Sequence, residues 1–455
     1  MFSLVIQQMN IASLQAQGLG EKYLDFLKSF GCILENFQAV EPQRVFFSPR
    51  AWSRRPVDYN QMLMLWGLLI LKANSGAFKT FFDHWKNYPA GYEGFCRLEE
   101  ALRLLVLERP RAIKKIGEEF GFRFDDGGYE MVFETERFFF FQVLPKGPVG
   151  YSGKNPTLVL PPYVLGPNIL NFLSKRERSY VDRFAAQMPT YIRIVKDMSN
   201  RAVQKMTPED DYRDTYLALQ LIAQRHGGRK PSLQGYCQGG SFALCDALAG
   251  INKIICALVL CVAPTDGTKS TGLAGFLKEV PEEFRNLDYA SFGQDIVSAE
   301  ILSFIYKLKA IEEEGPFSSF WRGVKEAEKG LAENEVITGL SYWLANNKVN
   351  QPRAITCLSL DMYSRPISSL GDLGVEMFGR KLNLGELGVP LYVAAAKKDK
   401  LVEPACALAL VPHVKNSCVS MINGGHVAAA TCLDSEWEGL FTGPDPVRWL
   451  LSLGR

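Results

Sequence analysis

The feature that most constrains this chain is a cysteine flanked by glycines, within the stretch Gln234–Gly240. Gly235 and Gly239 stand two residues before and two residues after Cys237. A short run that can enter the turn as a strand precedes the stretch, and apolar residues at helical spacing follow it at 241–248. A strand, a sharp turn at a nucleophile-type residue and a helix form a nucleophile elbow, here with cysteine in the place of serine. The glycines let the backbone turn sharply and let the helix pack close to its strand.

A helix that starts next to Cys237 directs backbone N–H groups and the positive end of its dipole at the sulfur, which favours the thiolate. The pattern glycine-x-cysteine-x-glycine is a weak signal by itself, because the chain contains 39 glycines and 10 cysteines. The alternative interpretation is a buried structural cysteine in a glycine turn. Partner residues elsewhere in the chain must decide between the two.

Composition argues against several functional classes. The 455 residues carry a net charge of +2, which indicates no polyanionic partner such as nucleic acid. The cysteines include no C-x-x-C pair and no histidine at metal-ligand spacing, so we expect no disulfide framework, no metal and a reducing, cytoplasmic location. Residues 1–6 lack the basic start of a secretion signal. The apolar run at 62–71 is too short to span a bilayer, so we expect no transmembrane segment.

Strand-like and helix-like segments alternate over much of the chain. The runs Thr157–Pro162, Ile254–Val262 and Val389–Ala396 are almost entirely apolar, as expected for strands buried on both faces of a sheet. The alternation predicts an α/β fold with a doubly wound, mostly parallel sheet of the α/β-hydrolase kind.

The spacing of apolar residues and the distribution of charged and aromatic residues also predict a domain organisation. Residues 1–128 have the apolar spacing of a helical N-terminal region, and residues 129–455 form the predicted catalytic domain. The alternation is interrupted at about 265–385 by charge-rich helical stretches beside aromatic residues. We interpret this segment as a cap inserted in the sheet domain.

Two further residues follow predicted strands late in the chain. Asp399 comes just after the strand at 389–396, and His426 follows the strand at 417–422 through a pair of glycines. A sheet fold places site residues just past the carboxyl ends of its strands, and an α/β-hydrolase uses the order nucleophile, acid, histidine. In such a triad the histidine takes the thiol proton and the carboxylate fixes the imidazole. Alternatively, Asp399 is a solvated loop charge and His426 a turn histidine.

An oxyanion hole is predicted from backbone N–H groups. One is that of Gln238, which follows the nucleophile, and the other belongs to Tyr163 or Val164, after a double proline that ends a predicted strand. The alternative role of the double proline is to terminate the strand. Asp211 and His226 also lie near predicted strand ends or loops, without a comparable context.

These motifs resemble those of polyhydroxyalkanoate synthases. Leu158–Pro162 is similar to their apolar strand with a double proline, Gly235–Gly240 to their cysteine lipase-like box, Asp399–Val402 to their acid loop and Gly424–Ala428 to their histidine loop. The match spans roughly residues 130–435. The resemblance implies an α/β-hydrolase core with a cap and a helical N-terminal region, usually dimeric. It also implies polymerisation of 3-hydroxyacyl-CoA thioesters on the cysteine with release of CoA, and no cofactor besides the CoA of the substrate.

The chain departs from the family at several places. Residues 196–200 stand where a tryptophan is common, Glu403 stands where a proline is common, and positions 164–165 lack a frequent asparagine. The implied partners are hydroxyacyl-CoA, the growing polyester chain and a second copy of this chain, in the cytoplasm at the surface of polyester granules. Two alternatives stay open: a cysteine esterase or thioesterase that passes the acyl group to water, and an inactive granule-surface scaffold protein.

Overall fold

The computed structural model describes most of the sheet domain and a part of the N-terminal region. The described residues are 92–108, 127–163, 166–172, 177–271 and 349–454, with a few scattered residues besides. Most of the predicted cap, between 272 and 348, lies outside them, as do the apolar run at 62–71 and Val164. No helix among the described residues is long and apolar enough to cross a membrane.

The chain divides into two compact units. They are Met1–Phe120 with Glu300–Asn346, and Gly121–Ala299 with Asn347–Arg455. In the smaller unit, helix α1 (Tyr92–Arg103) continues as a π-helical turn at Leu104–Glu108. Its Leu98, Leu102 and Val106 are buried in one apolar cluster, because residues four apart share a helix face. The end of the N-terminal region at 128 and the extent of the cap at about 265–385 stay predictions.

The larger unit is built on an eight-stranded sheet. The described strands of the chain are β1 (Tyr129–Glu134), β2 (Phe138–Val143), β3 (Thr157–Leu160), β4 (Thr190–Val195), β5 (Ser232–Tyr236), β6 (Ala257–Cys261), β7 (Ile296–Val297), β8 (Gln351–Pro352), β9 (Asp372–Met377), β10 (Arg380–Asn383), β11 (Leu391–Ala396) and β12 (Ser417–Ile422). The sheet order is β1-β2-β4-β3-β5-β6-β11-β12. Only β2 runs against its neighbours, so the sheet is mostly parallel. Strands β3, β5, β6 and β11 are buried along their whole length, which explains the mostly apolar sequences of β3, β6 and β11.

Helices connect and flank these strands. They are α2 (Tyr180–Ala185), α3 (Arg201–Gln204), α4 (Pro208–Arg225), α5 (Gln238–Ala249), α6 (Arg353–Ser364), α7 (Pro404–Ala407), α8 (Ala428–Thr431), α9 (Asp434–Leu440) and α10 (Pro446–Ser452). Strand order, crossover helices and the turn from β5 into α5 together make this an α/β-hydrolase fold, as predicted.

One part of the segment assigned to the cap has a regular structure that the sequence analysis did not anticipate. Strands β9 and β10 form a hairpin whose two turn residues, Phe378 and Gly379, both have positive φ. A two-residue turn of this kind is recognised in a sequence by asparagine or aspartate before glycine. Because phenylalanine stands in that place, the sequence pattern does not indicate the hairpin.

The crossing of α5 over the sheet depends on three glycines. A Cβ at Gly239 would lie 2.2 Å from the carbonyl oxygen of Leu160, at the end of β3. A Cβ at Gly235 would lie 2.3 Å from the carbonyl oxygen of Gly239, and one at Gly240 would lie 2.5 Å from Cβ of Ala263. Real Cβ atoms do not come this close to other heavy atoms, so only glycine at these positions lets the helix and the strands approach to this distance.

The first prediction concerns this close approach. Gly239→Ala should lower the free energy of unfolding by about 3 kcal/mol, because the added methyl group meets backbone atoms that cannot move aside as a side chain would. Gly439→Ala is the matched control, since Gly439 is also helical and a Cβ there would meet nothing within 4 Å. Urea unfolding of both variants measures the difference. Equal stability of the two variants would contradict the packing described here.

Candidate active site

Cys237 occupies the turn between β5 and α5 in a strained backbone conformation. Its φ is 53° and its ψ is −127°, and among the described residues only two others that are not glycine have positive φ, Val262 and Phe378. The backbone is held from both sides: N–H of Cys237 donates to the carbonyl of Cys261 at 2.8 Å, and N–H of Gly240 donates to the carbonyl of Cys237 at 2.9 Å. Strain of this kind persists only where the surroundings enforce it, and it is typical of functional positions.

Asp399, which is buried, and His426, which is partly buried, form a pair at the same edge of the sheet. Oδ2 of Asp399 lies 2.7 Å from Nδ1 of His426. The second oxygen, Oδ1, accepts hydrogen bonds from the backbone N–H groups of Leu401 and Val402, at 2.8 Å each. The carboxyl group is therefore fixed on one oxygen by its own loop and presents the other to the imidazole. It is not the solvated loop charge of the alternative reading, because only 4% of Asp399 is exposed.

Tyr236, the residue before the cysteine, holds the histidine loop in place. Its hydroxyl donates a 2.8 Å hydrogen bond to the backbone carbonyl of His426, and the two rings meet edge to face with centroids 6.4 Å apart. The loop also needs Gly424, where a Cβ would lie 2.4 Å from Cβ of Ala428. The sequence analysis missed Tyr236, because a tyrosine next to a nucleophile carries no signal about which loop it will reach.

The electrostatics of the site couple the histidine to the cysteine. Burial lowers the pKa of His426, but the charges of Cys237 and Asp399 and the hydrogen bond to Asp399 raise it more, to about 10. In the described structure Nε2 of His426 is buried without a hydrogen bond of ordinary geometry. The imidazole thus has Asp399 on Nδ1, a free Nε2 position, and Cys237 close enough to stabilise its charged form.

The predicted oxyanion residues lie in suitable elements. Gln238 is the first residue of α5, so its N–H lies in the first turn of the helix, where backbone N–H groups point out of the helix start. The carbonyls of Leu160 and Pro161 approach Gly239, which places the start of the loop carrying Tyr163 beside the first turn of α5. The assignment of backbone donors at Gln238 and at Tyr163 or Val164 stays a prediction.

The side chain of Gln238 has a further role. Nε2 donates to Oε1 of Gln351 at 3.1 Å and to Oγ of Ser359 at 2.7 Å. These bonds connect the start of α5 with β8 and α6, and all three side chains are buried. The residue after the nucleophile therefore also ties the turn to the segment that covers this end of the helix.

No metal centre emerges from the part of the chain that is described. Within it, no group of three or more histidine, cysteine, aspartate or glutamate side chains could hold a metal ion. The chemistry available to Cys237, His426 and Asp399 is proton transfer and nucleophilic attack by sulfur.

Comparisons with known proteins find solved structures that are similar to this chain at low sequence identity and low TM-score. No family model matches the sequence, and no curated protein matches it. Among solved structures, an α/β fold family hydrolase from Bacillus anthracis str. Sterne is similar over 67% of this chain and 94% of its own, with 11% identity and a TM-score of 0.37. Proline iminopeptidase from Mycobacterium smegmatis is similar over 72% of this chain and 98% of its own, with 11% identity and a TM-score of 0.39. A membrane phospholipase A, a bacterial virulence factor, is similar over 78% and 92%, with 12% identity and a TM-score of 0.38.

The raised pKa of His426 predicts how stability depends on pH. A group whose pKa is higher in the folded state stabilises the fold fully below its unfolded pKa, near 6.5, and loses this contribution as the pH rises to about 10. The difference in free energy of unfolding between the wild type and His426→Gln should therefore shrink from about pH 6 to about pH 10. Urea unfolding across this range measures it.

His226→Gln is the control for this pH series. Burial lowers the pKa of His226, so its titration should change the stability only at pH values below the ordinary histidine range. The difference in free energy of unfolding between the wild type and His226→Gln should therefore stay constant above about pH 7. A His426→Gln difference that stays constant or grows with pH would contradict the coupling of the imidazole to Cys237 and Asp399.

Proposed function

We propose that this chain is an acyltransferase that forms a covalent acyl-enzyme on Cys237, with His426 as base and Asp399 as the residue that orients it. The observation that carries the proposal is the combination of a strained cysteine at a helix start and a histidine whose Nδ1 is fixed by a buried carboxylate at 2.7 Å. A thiol of this kind attacks acyl groups well because the imidazole removes its proton and the helix start favours the thiolate. Thioesters are suitable acyl donors, since the leaving group is itself a thiol.

The first half-reaction follows from these roles. His426, whose raised pKa favours its charged form, already holds the proton taken from Cys237, and the thiolate attacks the thioester carbonyl carbon to form a new C–S bond. The developing oxyanion takes hydrogen bonds from backbone N–H groups at Gln238 and at Tyr163 or Val164. The bond between the carbonyl carbon and the sulfur of CoA then breaks, and the departing thiolate takes the proton from His426. Asp399 keeps the imidazole in one tautomer and steadies its charge throughout.

The second half-reaction decides the class of the enzyme. His426 removes the proton of an acceptor hydroxyl, whose oxygen attacks the acyl-enzyme and releases the Cys237 thiol. When the acceptor is the hydroxyl group of another 3-hydroxyacyl-CoA, the product is a chain that is one ester unit longer and is still a CoA thioester. Its transfer back to Cys237, with release of CoA, allows repeated rounds that build a polyester. We propose this acceptor because the cysteine box and the acid and histidine loops resemble those of polyhydroxyalkanoate synthases.

Exclusion of water supports a transferase over a hydrolase. Only 7% of Cys237 is exposed, and Asp399 is buried, so the site is screened from solvent within the described residues. The aromatic-rich segment predicted as the cap, at about 265–385, would strengthen this screening and hold a substrate hydroxyl near His426. The same resemblance supports a homodimer that works in the cytoplasm at the surface of a polyester granule, with the helical N-terminal region facing the polymer.

The fate of the acyl group tests the proposal. Purified protein with 3-hydroxybutyryl-CoA should release CoA, and chloroform-soluble polymer should account for most of the acyl groups, because the screened site favours the hydroxyl acceptor. Cys237→Ala should lower CoA release at least about 1,000-fold, as expected for loss of a nucleophile. Cys418→Ala, on the outer strand β12, is the matched control and should leave the rate unchanged.

Each other outcome identifies one of the alternatives. Free 3-hydroxybutyrate in place of polymer would make the protein a thioesterase. A complete absence of CoA release from a folded protein would favour a granule-surface scaffold without enzymatic activity.

A further inference from the structure

A buried polar network lies outside the triad and has no part in the proton transfers. Nη1 of Arg193, on β4, donates to Oδ1 of Asp211 and to Oγ1 of Thr215, at 2.6 Å each. Its Nη2 donates to the hydroxyl of Tyr163 at 3.4 Å, and that hydroxyl donates in turn to Oδ2 of Asp211. Tyr163, Arg193, Asp211 and Thr215 are all buried. Buried polar groups are costly unless they are paired, so a network of this completeness fixes its members in one arrangement.

Asp246, on the helix that begins at the nucleophile, lies close to the charges of this network. Burial and the neighbouring charge of Asp211 raise the pKa of Asp246 well above its usual range. Arg193 and Asp211 form a buried ion pair, with Nη1 2.6 Å from Oδ1. Since Arg193 lies on β4 and Asp211 on α4, the hydrogen bonds of the network join these two elements with the residue that follows the double proline.

Tyr163 is the member of this network that reaches toward the site. It is the third residue after β3, and it follows Pro161, whose carbonyl approaches Gly239 in the first turn of α5. Its ring meets Phe242 of α5 edge to face, with centroids 5.3 Å apart. The side chain is therefore clamped at two places: the ring packs on the helix, and the hydroxyl is held by Arg193 and Asp211.

We propose that Tyr163 is a positioning residue, whose hydroxyl, held by Asp211 and Arg193, fixes the backbone after β3 against the start of α5 where the oxyanion hole forms. The inference rests on the proposed function, since it concerns the same acyl transfer. An oxyanion donor is effective only when it is held in place before the reaction begins, because a displacement of a fraction of an ångström weakens its hydrogen bond in the transition state. A loop fixed by one buried phenol meets this requirement without any side chain entering the site.

The test removes only the hydroxyl. Tyr163→Phe keeps the ring against Phe242, and Tyr191→Phe is the matched control, because Tyr191 is equally buried but its hydroxyl contacts His226 at 2.8 Å, away from the network. With 3-hydroxybutyryl-CoA, Tyr163→Phe should lower kcat about 10- to 100-fold with little change in KM, since oxyanion stabilisation acts in the transition state. Alkylation of Cys237 by iodoacetamide should keep its wild-type rate, because that reaction forms no oxyanion.

Amide hydrogen exchange supplies a readout that does not depend on turnover. The peptide that contains 157–163 should exchange faster in Tyr163→Phe than in the wild type or in Tyr191→Phe. Thr215→Val removes one hydrogen-bond acceptor of Arg193 and leaves Tyr163 unchanged, so it should also speed exchange in the peptide that contains 157–163, by a smaller factor. This variant replaces Tyr163→Phe in the test if Tyr163→Phe does not fold.

The possible outcomes separate this inference from the proposed function. If the wild type releases CoA and the Tyr163→Phe and Tyr191→Phe variants match each other in kcat and in exchange, Tyr163 has no positioning role and the inference is overturned. If Tyr163→Phe lowers alkylation of Cys237 as much as it lowers kcat, the hydroxyl supports the fold in general and the inference is again overturned. A wild type that releases no CoA contradicts the proposed function, and the oxyanion role of Tyr163 fails with it.

Discussion

Helix α5 lies against β3 and β5 at a distance that only glycine permits, and the rest of the site depends on this contact. Gly235, Gly239 and Gly240 each face backbone or Cβ atoms where a side chain would overlap. Because the helix begins so close to its strand, the intervening residue has to adopt a positive φ, and this residue is Cys237. The contact thus sets the strain at the cysteine, its place at the helix start and the short distance from α5 to the loop after β3.

The partners of the cysteine are held by backbone groups more than by other side chains. One oxygen of Asp399 accepts hydrogen bonds from two N–H groups of its own loop, and the other oxygen therefore faces His426. The backbone carbonyl of His426 accepts a hydrogen bond from the hydroxyl of Tyr236, so that the cysteine turn and the histidine loop position each other. The proposed triad, built in this way, would need little reorganisation when charge develops during the reaction, which is the condition for electrostatic stabilisation of the transition state.

Much of this arrangement can be predicted from the sequence, for reasons that lie in particular residues. Fully buried strands such as Leu391–Ala396 have continuous apolar sequences, and Asp399 and His426 stand out because each follows a strand at the edge where parallel strands end. The contacts between distant elements cannot be predicted in this way. Tyr163 and Asp211 are 48 residues apart in the chain, and nothing in either neighbourhood indicates that they meet. The antiparallel direction of β2 is likewise invisible in a run of phenylalanines that fits either direction.

The central claim is that Cys237 carries the acyl group between two half-reactions. Rapid acid quenching of the protein with 3-hydroxybutyryl-CoA, followed by mass mapping of its peptides, tests the claim directly. The account predicts one added hydroxybutyryl unit, or a short chain of them, on the peptide that contains Cys237, and no such adduct in His426→Gln. Release of CoA with an adduct on another residue, or with none on the Cys237 peptide at any quench time, would contradict it.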